Sequence, residues 1–244
     1  MVAPATGTEP ANQEAEAPAK QEPSTTNSKD SEPKISSDKH PSEELNSKKP
    51  DNYLPEYNPD VRAPKKLNHP LQDSNDMTFM LGEDNKGYYL YGEGAIVEGA
   101  YKKFKSYVEF YAAKNIKLDR LMMHSPGGLV NEGLAIGSYI RKNGWTTDAD
   151  KYMQCYSSCG FIYAGGVKKR IQAGAKVGYH RPYIPSIPDT EKFKRKVYQD
   201  YQPYWVSIDG DPKLYDKFMK NYGRDEMYIL TTDNISQYMQ VEQY

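Results

Sequence analysis

Large apolar residues are distributed unevenly along the 244-residue chain and divide it into two parts. Residues 1–72 consist mainly of Ala, Pro, Glu, Lys, Ser, Thr and Asn, which offer little burial to offset the entropy of ordering a backbone. From residue 73 to residue 244, Tyr, Phe, Ile, Leu, Val and Met become frequent. We therefore predict a disordered tail or linker over residues 1–72 and one folded domain over residues 73–244.

The apolar spacing in the first half of this domain alternates between the strand and the helix pattern. It predicts strands over residues 77–81, 88–91 and 118–124 and helices over residues 95–115 and 129–143. The last strand runs into a Ser-Pro-Gly-Gly break, and the helix after that break has Gly144 as its stop signal.

The second half of the domain again alternates between strand and helix patterns. An extended segment over residues 150–155 leads into a turn of small residues and a short apolar run, and residues 170–180 read as one strand. Two further helices are predicted over residues 190–206 and 212–222, with Asp189 and Asp211 as their N-caps. Alternating strands and helices predict an α/β fold with a partly parallel sheet layered by helices.

Charge and hydropathy narrow the functional classes. The formal net charge is -1 and there is no dense Lys/Arg block, which argues against a nucleic-acid partner. The given chain contains no run of about 18 apolar residues, so no transmembrane segment is expected in it. Its opening residues resemble a linker left after removal of a signal peptide or anchor, which predicts a periplasmic or otherwise exported protein.

A serine and a double glycine suggest acyl-transfer chemistry. Ser158 lies in a small-residue turn that opens an apolar helix, where N–H groups and the helix dipole favour developing negative charge, although it could simply be an N-cap. Gly127 and Gly128 follow a strand and can aim an N–H into a cleft, although they could also form a tight turn. The order SPGG, CYSSCG and GYH, the last ending in His180, favours a catalytic site.

These motifs resemble those of the ClpP-like members of the ClpP/crotonase superfamily, particularly a group of bacterial predicted periplasmic proteins. The resemblance covers roughly residues 88–239 and rests on HSPGG, SSCGFIYAGG and VGYHRP. It implies repeated ββα units, with Ser158 as the nucleophile and His180 as the general base. It also implies an oxyanion hole from the amides of Gly128 and Cys159, with Gly127 the less favoured donor.

Two positions fit the family pattern less closely. His124 occupies the place where the family usually has Asn, and we interpret it as a residue that supports the loop. The resemblance suggests Asp225 as the third member of a catalytic triad, because the acid follows the helical segment after the histidine. Asp209, Asp211 and Asp233 are better explained as turn or capping residues.

Cys155 and Cys159 are the only cysteines in the chain and form a poor zinc site. In an oxidising compartment they could form a disulfide that braces the serine turn, whereas in a reducing compartment they would be small core residues. Cys159 as the nucleophile is a minor alternative.

The leading hypothesis is therefore a serine hydrolase, either a peptidase or an esterase, that works through an acyl-enzyme. The alternatives are a catalytically silent binding or scaffold protein of the bacterial envelope and crotonase-like acyl-CoA chemistry. We expect a peptide or acyl-ester substrate, no cofactor and no metal, and leave homo-oligomer formation open.

Overall fold

The computed structural model describes residues 59, 60, 62, 63 and 76–244. The predicted tail lies outside the described residues except for those four positions, and its disorder stays a prediction. The described strands are β1 Thr78–Asp84, β2 Gly87–Glu93, β3 Arg120–His124, β4 Thr146–Ala149, β5 Gln154–Tyr156, β6 Lys168–Ile171, β7 Lys176–Tyr179, β8 Tyr228–Leu230 and β9 Glu242–Gln243. The α-helices are α1 Ala100–Ala113, α2 Val130–Lys142, α3 Ser158–Gly165, α4 Glu191–Ser207 and α5 Pro212–Asn221.

The strands form two sheets. The larger has the order β1-β2-β3-β4-β6-β9, in which only β1 and β2 pair antiparallel. The smaller has the order β5-β7-β8, with β5 and β7 parallel and β7 and β8 antiparallel. The expected α/β fold with a partly parallel sheet layered by helices is confirmed.

The helices bury the apolar faces that their spacing predicted. Phe104, Tyr107 and Tyr111 recur at three- and four-residue intervals along α1 and are buried against the sheet. Behind the smaller sheet, the ring of Tyr179 stacks on that of Phe218 with centroids 5.4 Å apart. Such aromatic packing fixes the end of β7, where His180 follows.

Three local predictions need correction. Strands β4, β8 and β9 were not predicted, and the single strand expected over residues 170–180 is two strands, β6 and β7, separated by a turn at Gly174. The N-cap of α4 is Thr190, whose side chain accepts from the Phe193 N–H, and not Asp189. Asp211 caps α5 as predicted, by accepting from the Leu214 N–H at 2.8 Å.

Residues ahead of the predicted domain boundary contact the domain. The Ala63 N–H donates to the Leu81 carbonyl at 2.9 Å, and the Tyr111 hydroxyl donates to the Pro59 carbonyl at 2.6 Å. Arg62 and Ala63 therefore add to the edge of the larger sheet at β1. Among the helices in the described part of the chain, none has the length and apolar character needed to cross a membrane.

Candidate active site

Three segments meet where β3, β5 and β7 end. The loop Ser125–Gly128 follows β3, Ser157 follows β5, and His180 follows β7. The Ser125 N–H donates to the Gln154 carbonyl and the Tyr156 N–H donates to the Ser125 carbonyl, which joins the first segment to the second. Ligand sites of open α/β sheets lie at such carboxyl ends of strands.

Ser157 has an unusual backbone. Its φ of 57° and ψ of -123° lie outside the left-handed helical region that non-glycine residues sometimes adopt. The Ser157 N–H donates to the Gly178 carbonyl, and its own carbonyl accepts from the Gly160 N–H, both at 2.9 Å. Backbone strain held in place by surrounding contacts is concentrated at functional sites in proteins.

His180 contacts the hydroxyl of Ser157. Its Nε2 lies 2.7 Å from Ser157 Oγ, and its Nδ1 lies 3.0 Å from the carbonyl oxygen of Arg181. A carbonyl can only accept a hydrogen bond, so Nδ1 carries the proton and Nε2 accepts from the serine hydroxyl. This is the tautomer that a general base for Ser157 requires.

The surroundings of His180 keep its imidazole neutral. Burial of the ring lowers its pKa from the usual 6.5, and the positive charge of Arg181 acts in the same direction. Hydrogen bonds to the carbonyls of Arg181 and Gly223 oppose this shift without cancelling it. At neutral pH the ring can therefore take a proton from Ser157.

The expected pairing of Ser158 with His180 is wrong. Ser158 is the first residue of α3, and its buried hydroxyl has no hydrogen-bond partner in the described structure. Its side chain faces α2, where a Cβ built on Gly133 would lie 3.0 Å from Ser158 Cβ. Adjacent residues at a turn point in different directions, and only Ser157 faces the imidazole.

The glycine loop leaves one backbone donor free. The Gly127 N–H donates to Ser125 Oγ at 3.1 Å. This contact agrees with the expectation that Gly127 is a less favoured oxyanion donor than Gly128. Gly127 carbonyl and Leu129 N–H both bond to Ile96, whereas the Gly128 N–H reaches no backbone acceptor in residues 76–244.

Both glycines are sterically required. At Gly127, with φ 96°, an added Cβ would lie 2.6 Å from Ser157 Cβ, and at Gly128, with φ 144°, it would lie 2.1 Å from the Ile96 carbonyl oxygen. The close approach of Gly127 brings the loop directly against Ser157.

The contact between Ser157 and His180 also bears on the expected second oxyanion donor. In serine hydrolases the residue after the nucleophile commonly supplies an oxyanion N–H, and the residue after Ser157 is Ser158 rather than Cys159. The Ser158 N–H stands at the start of α3 and donates to no backbone carbonyl among the described residues. The helix dipole adds positive potential there.

Asp225 does not occupy the place expected for a triad acid. Its side chain is exposed, and His180 Nδ1 instead meets the carbonyl of Arg181. Among the described residues, no carboxylate is hydrogen-bonded to the imidazole. Backbone carbonyls do the orienting that a carboxylate does in a triad.

His124 supports the loop as interpreted from the sequence. It is buried at the end of β3, and its Nδ1 accepts from the Gln154 N–H at 3.1 Å. This bond ties β3 to β5 beneath the turn that carries Ser157.

Cys155 and Cys159 form a disulfide across the serine turn, with their Cα atoms 5.1 Å apart. One cysteine lies in β5 and the other in the first turn of α3, and both are buried. The bridge therefore closes the segment that holds Ser157 in its strained conformation. The same bridge excludes Cys159 as a thiolate nucleophile in this structure.

Reducing this disulfide should lower the free energy of unfolding by about 2 kcal/mol, because a five-residue loop then regains its freedom in the unfolded chain. Urea titrations with and without reductant measure the difference, and intact mass confirms the change by two hydrogens. The chain has no other cysteine, so the effect belongs to this bridge. Equal stability in both states would contradict the bracing role.

The described residues include no group of three or more His, Cys, Asp or Glu side chains arranged to hold a metal ion.

Comparisons with known proteins give distant structural similarity. No protein-family model matches the chain, and no curated protein matches it. Solved structures similar to it include a serine-to-alanine variant of the membrane-bound stomatin-specific protease 1510-N, with 14% identity and a TM-score of 0.48, covering 64% of this chain and 76% of that chain. A lysine-to-alanine variant of the same protease in complex with a substrate peptide has 15% identity and a TM-score of 0.45, covering 64% and 72%.

Proposed function

We propose that the chain is a serine hydrolase of the ClpP-like type, acting on peptide or acyl-ester bonds, with Ser157 as nucleophile and His180 as general base. The observation that carries this proposal is the 2.7 Å contact between Ser157 Oγ and His180 Nε2. The strained backbone of Ser157 and the tautomer set by the Arg181 carbonyl support it.

The reaction follows from the placement of these groups. His180 Nε2 takes the hydroxyl proton as Ser157 Oγ forms a bond to the substrate carbonyl carbon, whose oxygen becomes negative. The N–H groups of Gly128 and Ser158 are the donors available to that oxygen. The protonated Nε2 then gives its proton to the leaving group, and water cleaves the acyl-enzyme by the same route.

A fluorophosphonate probe tests whether any serine is activated, because it forms a covalent adduct with activated serine hydroxyls. The proposal expects a single adduct in intact-mass spectra of the wild type and none after heat denaturation. A folded wild-type protein that never forms an adduct would instead support the binding or scaffold reading.

We also propose that the protein is exported to an oxidising compartment such as the periplasm. The Cys155–Cys159 disulfide supports this, because structural disulfides persist mainly in oxidising compartments. Recovery of the protein in the cytoplasmic fraction of its native cells, with both thiols open to alkylation, would contradict it.

The labelling rate should rise with pH through a midpoint below 6.5, because burial lowers the pKa of His180 and only the neutral ring accepts the proton. Rates measured from acidic to neutral pH give the midpoint. The same shift predicts that the contribution of His180 to stability is complete above pH 6.5 and is lost as the pH falls toward its folded-state pKa. A midpoint above 6.5 would contradict this account.

A further inference from the structure

The carbonyls that orient His180 are themselves held by a charged cluster. The Arg181 N–H donates to the Tyr222 carbonyl at 2.9 Å, and Arg181 Nη1 donates to the Met219 carbonyl at 2.8 Å. Arg181 therefore fastens the end of β7 to residues 219–222 through both its backbone and its side chain. Gly223 follows immediately, and its backbone raises the pKa of His180.

Asp189 lies at the centre of this cluster. One carboxylate oxygen accepts from Arg181 Nη2 at 3.2 Å, and the other accepts from Arg224 Nη2 at 2.7 Å. Arg224 also donates to the Ile187 carbonyl at 2.8 Å, which ties the loop before α4 to the same cluster. The two guanidinium groups, Arg224 foremost, lower the pKa of Asp189, so it is charged at neutral pH.

The side chains of Arg181 and Asp189 pack closely against the backbone at Gly223. A Cβ built on Gly223 would lie 3.0 Å from Arg181 Nη2 and 3.5 Å from Asp189 Oδ2. The Arg181 side chain is only 5% exposed, so loss of its carboxylate partner would leave a buried positive charge without compensation. Such a charge would draw in water or move, and the backbone around Gly223 would move with it.

We infer that Asp189 is a positioning residue for His180: through Arg181 and Arg224 it fixes the backbone at Gly223 and at Arg181, whose carbonyl takes the place of an orienting carboxylate. The catalytic consequence of this inference rests on the proposed function, whereas its effect on the imidazole does not. Other charged or titratable groups near His180 in the described structure are Arg181 and Tyr183 on its own segment and Ser157 opposite, with Arg224 packed over the Tyr183 ring.

The inference can be tested by measuring the protonation of the His180 imidazole by NMR. In full-length protein with ¹⁵N-labelled histidine, the nitrogen shifts report which ring nitrogen carries the proton, and His180→Gln identifies the signal. Wild type should show the Nδ1–H tautomer. Asp189→Asn should give a mixture of tautomers and lower the titration midpoint of His180 by about one pH unit, since weaker carbonyl contacts and a lost negative charge both disfavour the protonated ring.

The fluorophosphonate rate gives the catalytic readout. Asp189→Asn should lower it by up to about 100-fold, since small displacements of a catalytic group cost this much. Asp225→Asn is the matched control, an exposed aspartate next to Arg224 that should leave the tautomer, the midpoint and the rate unchanged. Asp189→Glu keeps the charge and should restore most of the wild-type tautomer.

A second variant covers the case in which Asp189→Asn does not fold. Arg224→Gln removes the ion pair to one carboxylate oxygen of Asp189, and the Arg224 side chain is more exposed than that of Arg181. This variant should shift the tautomer and the rate in the same direction as Asp189→Asn, by a smaller amount. Unchanged nitrogen shifts and rates in the folded variants would overturn the inference. Changed shifts in a protein whose wild type is never labelled would support the inference and contradict the proposed function.

Discussion

Replacing Ser157 with alanine should lower the hydrolysis and labelling rates by about 1,000-fold or more, because the hydroxyl that lies 2.7 Å from His180 Nε2 is then lost. Ser158→Ala removes a hydroxyl that has no hydrogen-bond partner in the described structure and keeps the backbone N–H, so most of the rate should remain. Steady-state kinetics on an activated ester, with circular dichroism to confirm folding, measure both. Loss of activity in Ser158→Ala with retention in Ser157→Ala would reverse the assignment.

His180→Ala should cost about as much as Ser157→Ala, and the double variant should be no worse than either single variant, because the two residues act as a unit. Additive losses would contradict a shared proton transfer. The residual rate would come from the backbone donors and binding alone.

The largest effect on stability is expected at Asp148, a buried carboxylate in β4. It forms ion pairs with Arg120 and Arg170, whose side chains are 6% and 7% exposed, and it accepts from the Tyr244 hydroxyl at 3.0 Å. Asp148→Ala should lower the free energy of unfolding by about 3–5 kcal/mol, because two buried guanidinium groups would lose their shared partner.

Urea unfolding measures this loss. Asp119→Ala is the matched control, since Asp119 is about half exposed in its ion pair with Lys117 and should contribute less than about 1 kcal/mol. A loss at Asp148 no larger than that of the control would show that the buried cluster does not stabilise β4.

The same cluster explains why β4 escaped prediction from the sequence. Thr-Thr-Asp-Ala lacks the apolar alternation of a strand, yet the structure buries Asp148 by supplying charged partners from neighbouring β3 and β6. Partners that lie 28 and 22 residues away in the chain leave no local signal. The strands and helices with periodic apolar faces were predicted, with boundaries shifted by a few residues.

In the candidate active site, too, some features were predicted from the sequence and others were not. The SPGG loop, the serine turn and His180 were predicted to meet, and they do. Which of two adjacent serines faces the imidazole depends on where α3 begins, and the sequence does not set a helix start to within one residue. Ser157 precedes α3 and is free of helical geometry, whereas Ser158 is the first helical residue, and the structure is needed to tell them apart.

The orienting group could not have been found by searching for an acid. Asp189 carries the sequence signature of an N-cap, but Thr190 takes that role and frees the Asp189 carboxylate for Arg181 and Arg224. Asp225 matches the family position by order along the chain, yet it is exposed. A backbone carbonyl has no identity in the sequence, so its use by His180 is visible only in three dimensions.

The most direct test of the account is to locate the fluorophosphonate adduct by tandem mass spectrometry of the peptide that spans β5 and α3. Fragmentation between Ser157 and Ser158 separates the two candidates, and the account expects the adduct on Ser157 alone, lost in His180→Ala. An adduct on Ser158, or a wild-type protein that is folded and unlabelled, would contradict it.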